Sequence, residues 1–315
     1  MNTRKKTSAM VESALITAIA VVFALAGIYI PFLSILLMFL PVPFIIIGAK
    51  NGLRYSILSL VVATFMLGGF MDPLRAILFF VTAGLSSVII GYMIKKKYSV
   101  GVTVLAGSIA SVISAIISFA LMPQIFGYGP IEMLEDVFRQ SREMYESFIA
   151  MSGVETEMVQ EMLTRMDEME SMYLLIFPAA IIMSSVATTY INYLTSGIIL
   201  RRIGFSVPKP RRFAYFRLPK NFMMGALVIV ILTYLTTRFS LVKSDALNAN
   251  IVYLFQIIFI ALGLSVVSFF LEKRGIGKVL RRVILVFILL NPIFNLILFF
   301  VGLADAMMNI RKLEN

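Results

Sequence analysis

A chain of 315 residues that is 60% hydrophobic and only 14% charged is far more apolar than a soluble domain, in which about a quarter of the residues carry charge. It contains no cysteine and no histidine, which excludes disulfides and removes the commonest metal ligand. The net charge of +11 comes from short basic clusters between apolar runs, a pattern typical of membrane proteins and not of nucleic-acid binding. The sequence therefore predicts an all-α, polytopic transmembrane helical bundle whose surroundings are a lipid bilayer.

The N-terminal part begins with basic residues, which place the N-terminus in the cytoplasm. Apolar runs then approach the ~20 residues that cross a bilayer, and they predict helices at roughly 10–30, 32–48, 53–70, 75–94 and 100–122. The second run contains Pro41 and Pro43, which free backbone groups inside the membrane. We therefore expect these prolines to be buried in protein or to line a cavity.

The first predicted helix carries Ala14 and Ala18, which are four residues apart and hence share one face. Small residues at this spacing allow another helix to approach closely within lipid, where packing drives association. That second helix belongs either to this chain or to a separate membrane protein. Both alanines are therefore candidates for partner docking, with packing inside the chain as the alternative.

Residues 123–170 differ in composition from the runs around them. They hold eleven of the 17 acidic residues of the chain and three of its 28 basic residues, with apolar side chains recurring at helical spacing between the charges. We predict an acidic, extracytoplasmic helical hairpin over the outer face of the bundle. A sixth membrane helix at roughly 171–199 follows, and it completes a six-helix core of residues 1–200.

A basic linker at 201–220 is predicted to be cytoplasmic and to separate this core from C-terminal membrane helices at 221–315. Helices are expected at roughly 221–237 and 250–271, and a last apolar run at roughly 283–306 is interrupted by Asn291-Pro292. The total is about eight or nine membrane segments. A single crossing by the last run puts Arg311 and Lys312 outside, whereas a re-entrant fold keeps them inside, and the sequence leaves both open.

The sequence shows no set of catalytic groups, and we predict no catalytic, cofactor-binding or metal-binding residues and no enzyme activity. The run Gly275-Ile276-Gly277-Lys278 lacks the spacing and the following hydroxyl residue of a phosphate-binding loop. Ionisable residues are scarce in the apolar runs, and Glu12 and Asp305 lie near helix ends. This scarcity argues against an independent ion-coupled transporter, which usually keeps such groups at mid-membrane.

The predicted outer ends of the helices are more polar than their middles. A small-ligand site in a helical bundle uses a few polar groups among apolar walls, and the candidates for an outer ligand site are Tyr29, Ser34, Asp72, Arg75 and Tyr128. Asp72 also precedes a proline at the start of a helix, where an acidic residue serves as a helix cap. Capping alone is therefore the alternative role for Asp72.

Three motifs in order resemble the substrate-binding S components of energy-coupling factor vitamin transporters: Ala14-xxx-Ala18, Leu40-Pro41-Val42-Pro43 and Gly48-Ala49-Lys50-Asn51-Gly52. The resemblance covers residues 1–200 and implies an S-component-like six-helix core with both ends cytoplasmic. It also implies that Ala14 and Ala18 meet a transmembrane coupling subunit that works with ATPases, while outer loops close over a small molecule. The large acidic hairpin and the helices after residue 220 depart from the S-component pattern.

Across its full length the chain resembles the YybS-like family of bacterial membrane proteins. The features that carry this resemblance are Leu218-Pro219 after the basic linker and Gly302-Leu303-Ala304-Asp305 before Arg311. It implies a multi-pass protein of the bacterial cytoplasmic membrane. The function we predict is small-molecule binding, or a transport-related role without an ATPase of its own. The alternative is an assembly or regulatory protein that recruits partners through its acidic outer hairpin and basic inner loops.

Overall fold

This computed structural model describes residues 3–152, 156–219, 221–239 and 244–313, and helices make up most of that part. The α-helices of that part are α1 (Thr3–Tyr29), α2 (Pro41–Lys50), α3 (Leu53–Gly68), α4 (Pro73–Lys95), α5 (Val100–Phe126), α6 (Pro130–Ser152), α7 (Thr156–Arg202), α8 (Phe222–Arg238), α9 (Ser244–Lys273), α10 (Lys278–Leu290) and α11 (Pro292–Met308). Two 3₁₀ segments, Pro31–Phe39 and Phe213–Tyr215, lie between them. The predicted all-α fold class is confirmed.

Six helical stretches of the described chain are long and apolar enough to cross a membrane: Lys6–Tyr29, Pro31–Lys50, Pro73–Lys95, Val100–Phe126, Val159–Arg202 and Asp245–Lys273. The pair α10 and α11 adds a seventh if it counts as one span. Helices α3 and α8 are apolar but have only 16 and 17 residues, fewer than the ~20 that a straight crossing requires. The protein is a polytopic helical membrane protein, with fewer candidate spans than the eight or nine segments predicted.

Two compact units make up the chain. The first unit comprises Met1–Leu174 and Ala180–Lys209, and the second unit comprises Leu175–Ala179 and Pro210–Asn315. Helix α7 contributes residues to both units, because one turn near its middle is grouped with the C-terminal residues.

The second apolar run does not form the single helix that we predicted at 32–48. It forms the 3₁₀ segment Pro31–Phe39, and α2 then begins at Pro41. Pro41 has no N–H to donate to a preceding carbonyl group, so a continuous helix is interrupted there, whereas proline suits the first position of a new helix. Pro41 is buried and Pro43 is half-buried, as expected for a backbone break that protein encloses.

Helices α1, α2 and α4 meet at the Lys50 end of the first unit. A Cβ atom on Gly91 would lie 2.9 Å from the carbonyl oxygen of Ile45 and 3.1 Å from the Cα atom of Gly48, so this approach requires glycine. After α2, the Asn51 side chain donates from Nδ2 to the Ser13 hydroxyl at 2.9 Å. The turn that follows α2 therefore holds α1 in place by a side-chain hydrogen bond.

Helix α6 and the first part of α7 form an antiparallel hairpin. Arg142 pairs with Asp167, and the ring centroids of Phe138 and Tyr173 are 5.7 Å apart. Helix α7 then continues to its end over 47 residues, so the prediction of a separate sixth membrane helix at 171–199 is wrong. No glycine or proline occurs at 156–177, and nothing there ends the helix that starts the second arm of the hairpin.

The one turn of α7 that belongs to the second unit is completed by a side chain of α9. Pro178 lies inside α7 and lacks an N–H for the helix ladder. The Asn250 side chain accepts through Oδ1 from the Ala179 N–H at 2.8 Å and donates from Nδ2 to the Leu175 carbonyl oxygen at 2.7 Å. These two backbone groups are i and i−4, the normal partners of an unbroken α-helix. Asn250 therefore bridges an opened position of the helix ladder.

Asn250→Leu is expected to lower the free energy of unfolding by about 1–3 kcal/mol, because it leaves an N–H and a carbonyl group of α7 unpaired. Thermal unfolding of the purified protein in mild detergent measures the change. Asn248→Leu is the matched control, since Asn248 is exposed two residues earlier on the same helix. An equal loss in both variants would show that the bridge contributes nothing.

Helices α9 and α11 form the core of the second unit and run in the same direction. The ring centroids of Phe259 and Phe299 are 5.6 Å apart, and one turn further along both helices Gly263 meets Gly302. A Cβ atom on Gly263 would overlap the carbonyl oxygen of Leu298, and one on Gly302 would overlap that of Phe259. The two backbones are therefore in direct contact, as in other membrane helix pairs with small residues at the crossing.

Candidate functional site

Three of the predicted outer ligand residues lie on the turns that join α1, the 3₁₀ segment, α3 and α4. The Tyr29 hydroxyl donates to the Phe70 carbonyl oxygen at 2.6 Å. The Asp72 carboxylate accepts from the Leu74 N–H at 2.8 Å and so caps α4. Ser34 is exposed on the 3₁₀ segment. Tyr29 thus joins the end of α1 to the turn after α3, whereas Asp72 caps its own helix.

The other two predicted outer residues meet through an aromatic ring. The Arg75 guanidinium carbon lies 5.1 Å from the Phe126 ring centroid, and the rings of Phe126 and Tyr128 are 6.0 Å apart. The first contact is within the range of a cation–π interaction. The structure therefore brings Arg75 and Tyr128 to the same end of α5, and a ligand-binding role for the set stays a prediction.

Ala14 and Ala18 lie on an exposed face of α1. Leu15, between them, has 63% of its surface exposed. The face that α1 buries within the chain is offset from the two alanines and consists of Ser13, Thr17, Ala20, Val21, Ala24 and Gly27. Within the described part of the chain, the two alanines therefore lie outside the face that α1 buries.

A groove of about 790 Å³ lies in the second unit between α8, α9 and α11. This volume falls in the ~300–1,000 Å³ range of small-molecule sites. Apolar side chains form most of its walls: Met223, Ala226, Leu227, Val230, Val252, Phe255, Phe259, Leu296, Phe299 and Leu303. Several of them, including Leu227, Val252 and Leu296, are exposed. The groove is therefore open along one side.

Two amide side chains interrupt this apolar lining, Gln256 on α9 and Asn295 on α11. Gln256 is near the middle of α9, which has 30 residues and is a candidate span. Asn295 Oδ1 is buried and makes no hydrogen bond within the described chain. An unpaired amide oxygen in apolar surroundings costs about 1–3 kcal/mol, and a hydrogen-bond donor that enters the groove would recover this energy.

The wall of the groove includes a break in the helical backbone. Helices α10 and α11 are bent by 105° relative to each other. At the break, the Asn291 side chain accepts from the Ile293 N–H at 3.1 Å, and Pro292 takes the first position of α11. Pro292 lines the groove. Non-helical backbone in a membrane protein is tolerated where protein buries it or where it lines a cavity. The position of the break in the groove wall meets this condition.

The α10–α11 pair begins and ends at the same end of α9. In the first turns of α10, Arg281 Nη1 lies 2.6 Å from Glu272 Oε2. After α11, Arg311 Nη1 donates to the Ser265 hydroxyl at 2.8 Å. Glu272 and Ser265 both belong to the last ten residues of α9, which ends at Lys273. The pair therefore folds back on itself, with its first residue and its last residue at the same end of α9.

A buried ion pair fixes the end of this hairpin. Arg311 Nη2 lies 2.7 Å from Asp305 Oδ2, and the two side chains are 0% and 4% exposed. The guanidinium group also donates to the carbonyl oxygens of Ala214 and Phe216, both at 2.8 Å. Arg311 therefore joins the end of α11 to α9 and to the 3₁₀ segment Phe213–Tyr215 through charge-assisted hydrogen bonds. All three nitrogen atoms of its guanidinium group donate.

Sequence reasoning did not identify the groove or the ion pair. A signal for the pair was present, since Asp305 is an acidic residue at the end of an apolar run with Arg311 six residues later, and such residues are usually paired. The groove has no comparable signal. Its polar groups, Gln256 and Asn295, lie on different helices and each stands alone among apolar residues.

Comparison with known proteins identifies a family. The family described as "Predicted membrane protein (DUF2232)" matches residues 18–306. The chain is also similar to "Uncharacterized protein YybS" of Bacillus subtilis (strain 168), with 27% identity over 314 residues that cover 98% of this chain and 99% of the relative. No solved structure matches.

Proposed function

The chain belongs to the DUF2232 family of predicted membrane proteins, and we propose that it binds an amphipathic small molecule in the groove between α8, α9 and α11. Its role is small-molecule binding or transport without an ATPase of its own and without enzyme activity. The observation that carries the proposal is the broken α10–α11 hairpin, which places Pro292 and Asn295 in the wall of an otherwise apolar groove. Broken membrane helices supply the substrate sites of many transporters.

The lining indicates the chemistry of the occupant. The apolar walls suit a hydrocarbon chain or ring system, while Gln256 and Asn295 suit a polar group with at least one hydrogen-bond donor. None of the described residues that line the groove is charged, so the part of the molecule that enters is neutral. The open side allows such a molecule to enter from the lipid.

A fluorescence titration tests this proposal. The chain has no tryptophan, so Leu296→Trp places a single reporter in the groove wall. We expect a saturable fluorescence change when the purified protein is titrated with a neutral-lipid extract of the producing cells. Adding Asn295→Leu should weaken apparent affinity about tenfold, the value of one well-made hydrogen bond. Ile109→Trp, an exposed site on α5, is the control, and an identical response there would contradict binding in the groove.

We propose in addition that a separate membrane protein docks on the exposed Ala14 and Ala18 face. The resemblance of residues 1–200 to S components indicates a transmembrane coupling subunit with its ATPases, and another helical membrane protein is the alternative. Support comes from the position of the two alanines, which are exposed on α1 and separate from the face that the helix buries. Close approach at small residues is the usual basis of helix association in lipid.

Ala18→Leu is expected to abolish recovery of a partner in a mild-detergent pulldown while leaving thermal stability unchanged, because Ala18 is exposed on α1. Ala20→Leu is the contrasting variant. Ala20 is fully buried, so overpacking should lower the stability of the chain itself by about 1–3 kcal/mol. Recovery of no coupling subunit, ATPase or other membrane protein with the wild type would refute the docking proposal.

The acidic hairpin supports the second function that the sequence predicts, an assembly or regulatory role. Its two arms are joined by Arg142 and Asp167, and most charged side chains along them are exposed. Exposed charge of one predominant sign recruits partners of opposite charge. Deletion of 130–168 separates the two functions, since loss of a partner with unchanged small-molecule uptake favours the regulatory role.

We propose that the α10–α11 pair is re-entrant, because this arrangement makes the predicted orientation more consistent with the positive-inside rule. Arg217 Nη1 donates to the Leu313 carbonyl oxygen at 2.9 Å, so the tail lies beside the basic linker. We propose that the N-terminus, the linker at 201–220 and the tail with Arg311 and Lys312 are all cytoplasmic. The outer set Tyr29, Ser34, Asp72, Arg75 and Tyr128 stays a second predicted position for a ligand.

A further inference from the structure

We infer that the cavity between the end of α9 and the start of α10 binds a phosphate group. The cavity has a volume of about 640 Å³. The charged residues in its lining are Arg212, Glu272, Lys278, Arg281 and Arg282. Four positive charges against one negative charge leave a net charge of +3 in the lining. Such a concentration of one sign attracts an anion into a cleft.

Glu272 organises two of these cations. Its Oε1 atom lies 2.6 Å from Arg212 Nη1, and its Oε2 atom lies 2.6 Å from Arg281 Nη1. Lys278 and Arg282 form no ion pair within the described chain. The carboxylate therefore positions two guanidinium groups, while two further cations are available to an incoming anion. Guanidinium groups held in this way match the oxygen pairs of a phosphate group.

Neutral donors face the same cavity. Helix α10 follows Gly277, which offers no side-chain cap, so the first N–H groups of the helix have no intrahelical partner and carry a partial positive charge. Ser268 lines the cavity, is 3% exposed and makes no hydrogen bond to any described residue. The hydroxyl of Ser268 lies in the same lining as the cations and the start of α10, so it is available to donate to a phosphate oxygen.

The apolar face of α10 indicates a lipid headgroup as the source of the phosphate. Val279, Val283, Phe287 and Leu290 are all exposed, while Lys278, Arg281 and Arg282 supply a basic face to the same helix. The basic residues all stand in the first two turns of α10, so the start of this helix suits the headgroup level and its apolar remainder suits the acyl chains. An anionic phospholipid brings its phosphate to that depth, whereas a soluble phosphate compound would reach the cavity from the water.

A binding measurement with the full-length protein in mild detergent tests this inference. The probes are short-chain phosphatidylglycerol, phosphatidylcholine of equal chain length, and inorganic phosphate, with thermophoresis as the readout. We expect phosphatidylglycerol to bind most tightly and the double variant K278Q/R282Q to lose about 25-fold in affinity, since each basic residue near an anionic headgroup contributes about fivefold. The control K96Q/K97Q removes the same charge from the cluster after α4 and should leave the affinity unchanged.

Two further arms complete the test. Ser268→Ala should weaken phosphatidylglycerol binding about threefold, the value of a weak hydrogen bond. Gel filtration confirms that each variant is folded. In the alternative outcome, inorganic phosphate binds the wild type, competes with phosphatidylglycerol and fails to bind K278Q/R282Q. These three results together would uphold the site and assign it to a soluble phosphate compound. Equal losses in K278Q/R282Q and K96Q/K97Q overturn the inference, because the binding would then follow total charge. Absence of binding by both anionic probes overturns it as well.

Discussion

Arg311→Met is expected to lower the free energy of unfolding by about 3–5 kcal/mol, because it leaves the Asp305 carboxylate buried without its partner. The Arg311 side chain is fully buried, and its guanidinium group also serves the carbonyl oxygens of Ala214 and Phe216 and the Ser265 hydroxyl. All of these acceptors lose a charged donor in the variant. Thermal or denaturant-induced unfolding in mild detergent measures the loss.

The matched control is Arg212→Met, which removes an arginine from an ion pair in the same unit. Its side chain is 71% exposed, so water screens the pair and the loss should stay below about 1 kcal/mol. A double variant then tests the pairing itself. Asp305→Leu combined with Arg311→Met should cost less than Arg311→Met alone, because no uncompensated charge stays buried. Additive losses would contradict direct pairing.

Gly302→Ala is expected to have the second-largest effect, a loss of about 1–3 kcal/mol from overpacking. The added Cβ atom would overlap the Phe259 carbonyl oxygen, which belongs to the backbone of α9 and cannot turn aside. Helices α9 and α11 must therefore separate, and the groove that they share changes shape. The loss should appear both in thermal unfolding and in a weaker response of the Leu296→Trp reporter.

Gly225→Ala on α8 is the control for the Gly302 variant. A Cβ atom on Gly225 meets nothing within 4 Å, so this change removes a flexible residue from a helix without a clash and should be neutral or slightly stabilising. Gly263→Ala should behave like Gly302→Ala, since it clashes with the Leu298 carbonyl oxygen at the same crossing. Equal stability of the Gly302 and Gly225 variants would show that the α9–α11 contact is not close.

Local sequence was sufficient to predict two features of the fold, which are its helical class and the positions of its backbone breaks. Apolar runs of nearly 20 residues predict membrane helices on their own, and Pro41 and Pro292 each stand at the first position of a helix. The wrong prediction of a separate helix at 171–199 also came from local sequence. The composition changes there from acidic to apolar, but a change in composition does not end a helix, and α7 continues through it.

The contacts that shape the groove are not local and could not be predicted. Gly263 and Gly302 belong to different helices, and glycine is frequent in membrane helices in general, so their pairing has no sequence signature. Asn250 is similar, because a single amide in an apolar run does not indicate which backbone it completes. The return of the α10–α11 pair to the end of α9 where it begins depends on the contacts of Arg311 with Asp305 and Ser265, and the charge pattern alone did not predict these contacts.

The most direct test of the proposed function is an experimental structure of the protein purified in mild detergent from its own membranes. We predict density for a small molecule in the groove between α8, α9 and α11, with a polar atom within hydrogen-bond distance of the Asn295 side chain. That density should be absent from a structure of the Asn295→Leu variant prepared in the same way. A groove filled only by the side chains of the protein, with ligand density instead beside Arg75 and Tyr128, would contradict the proposal.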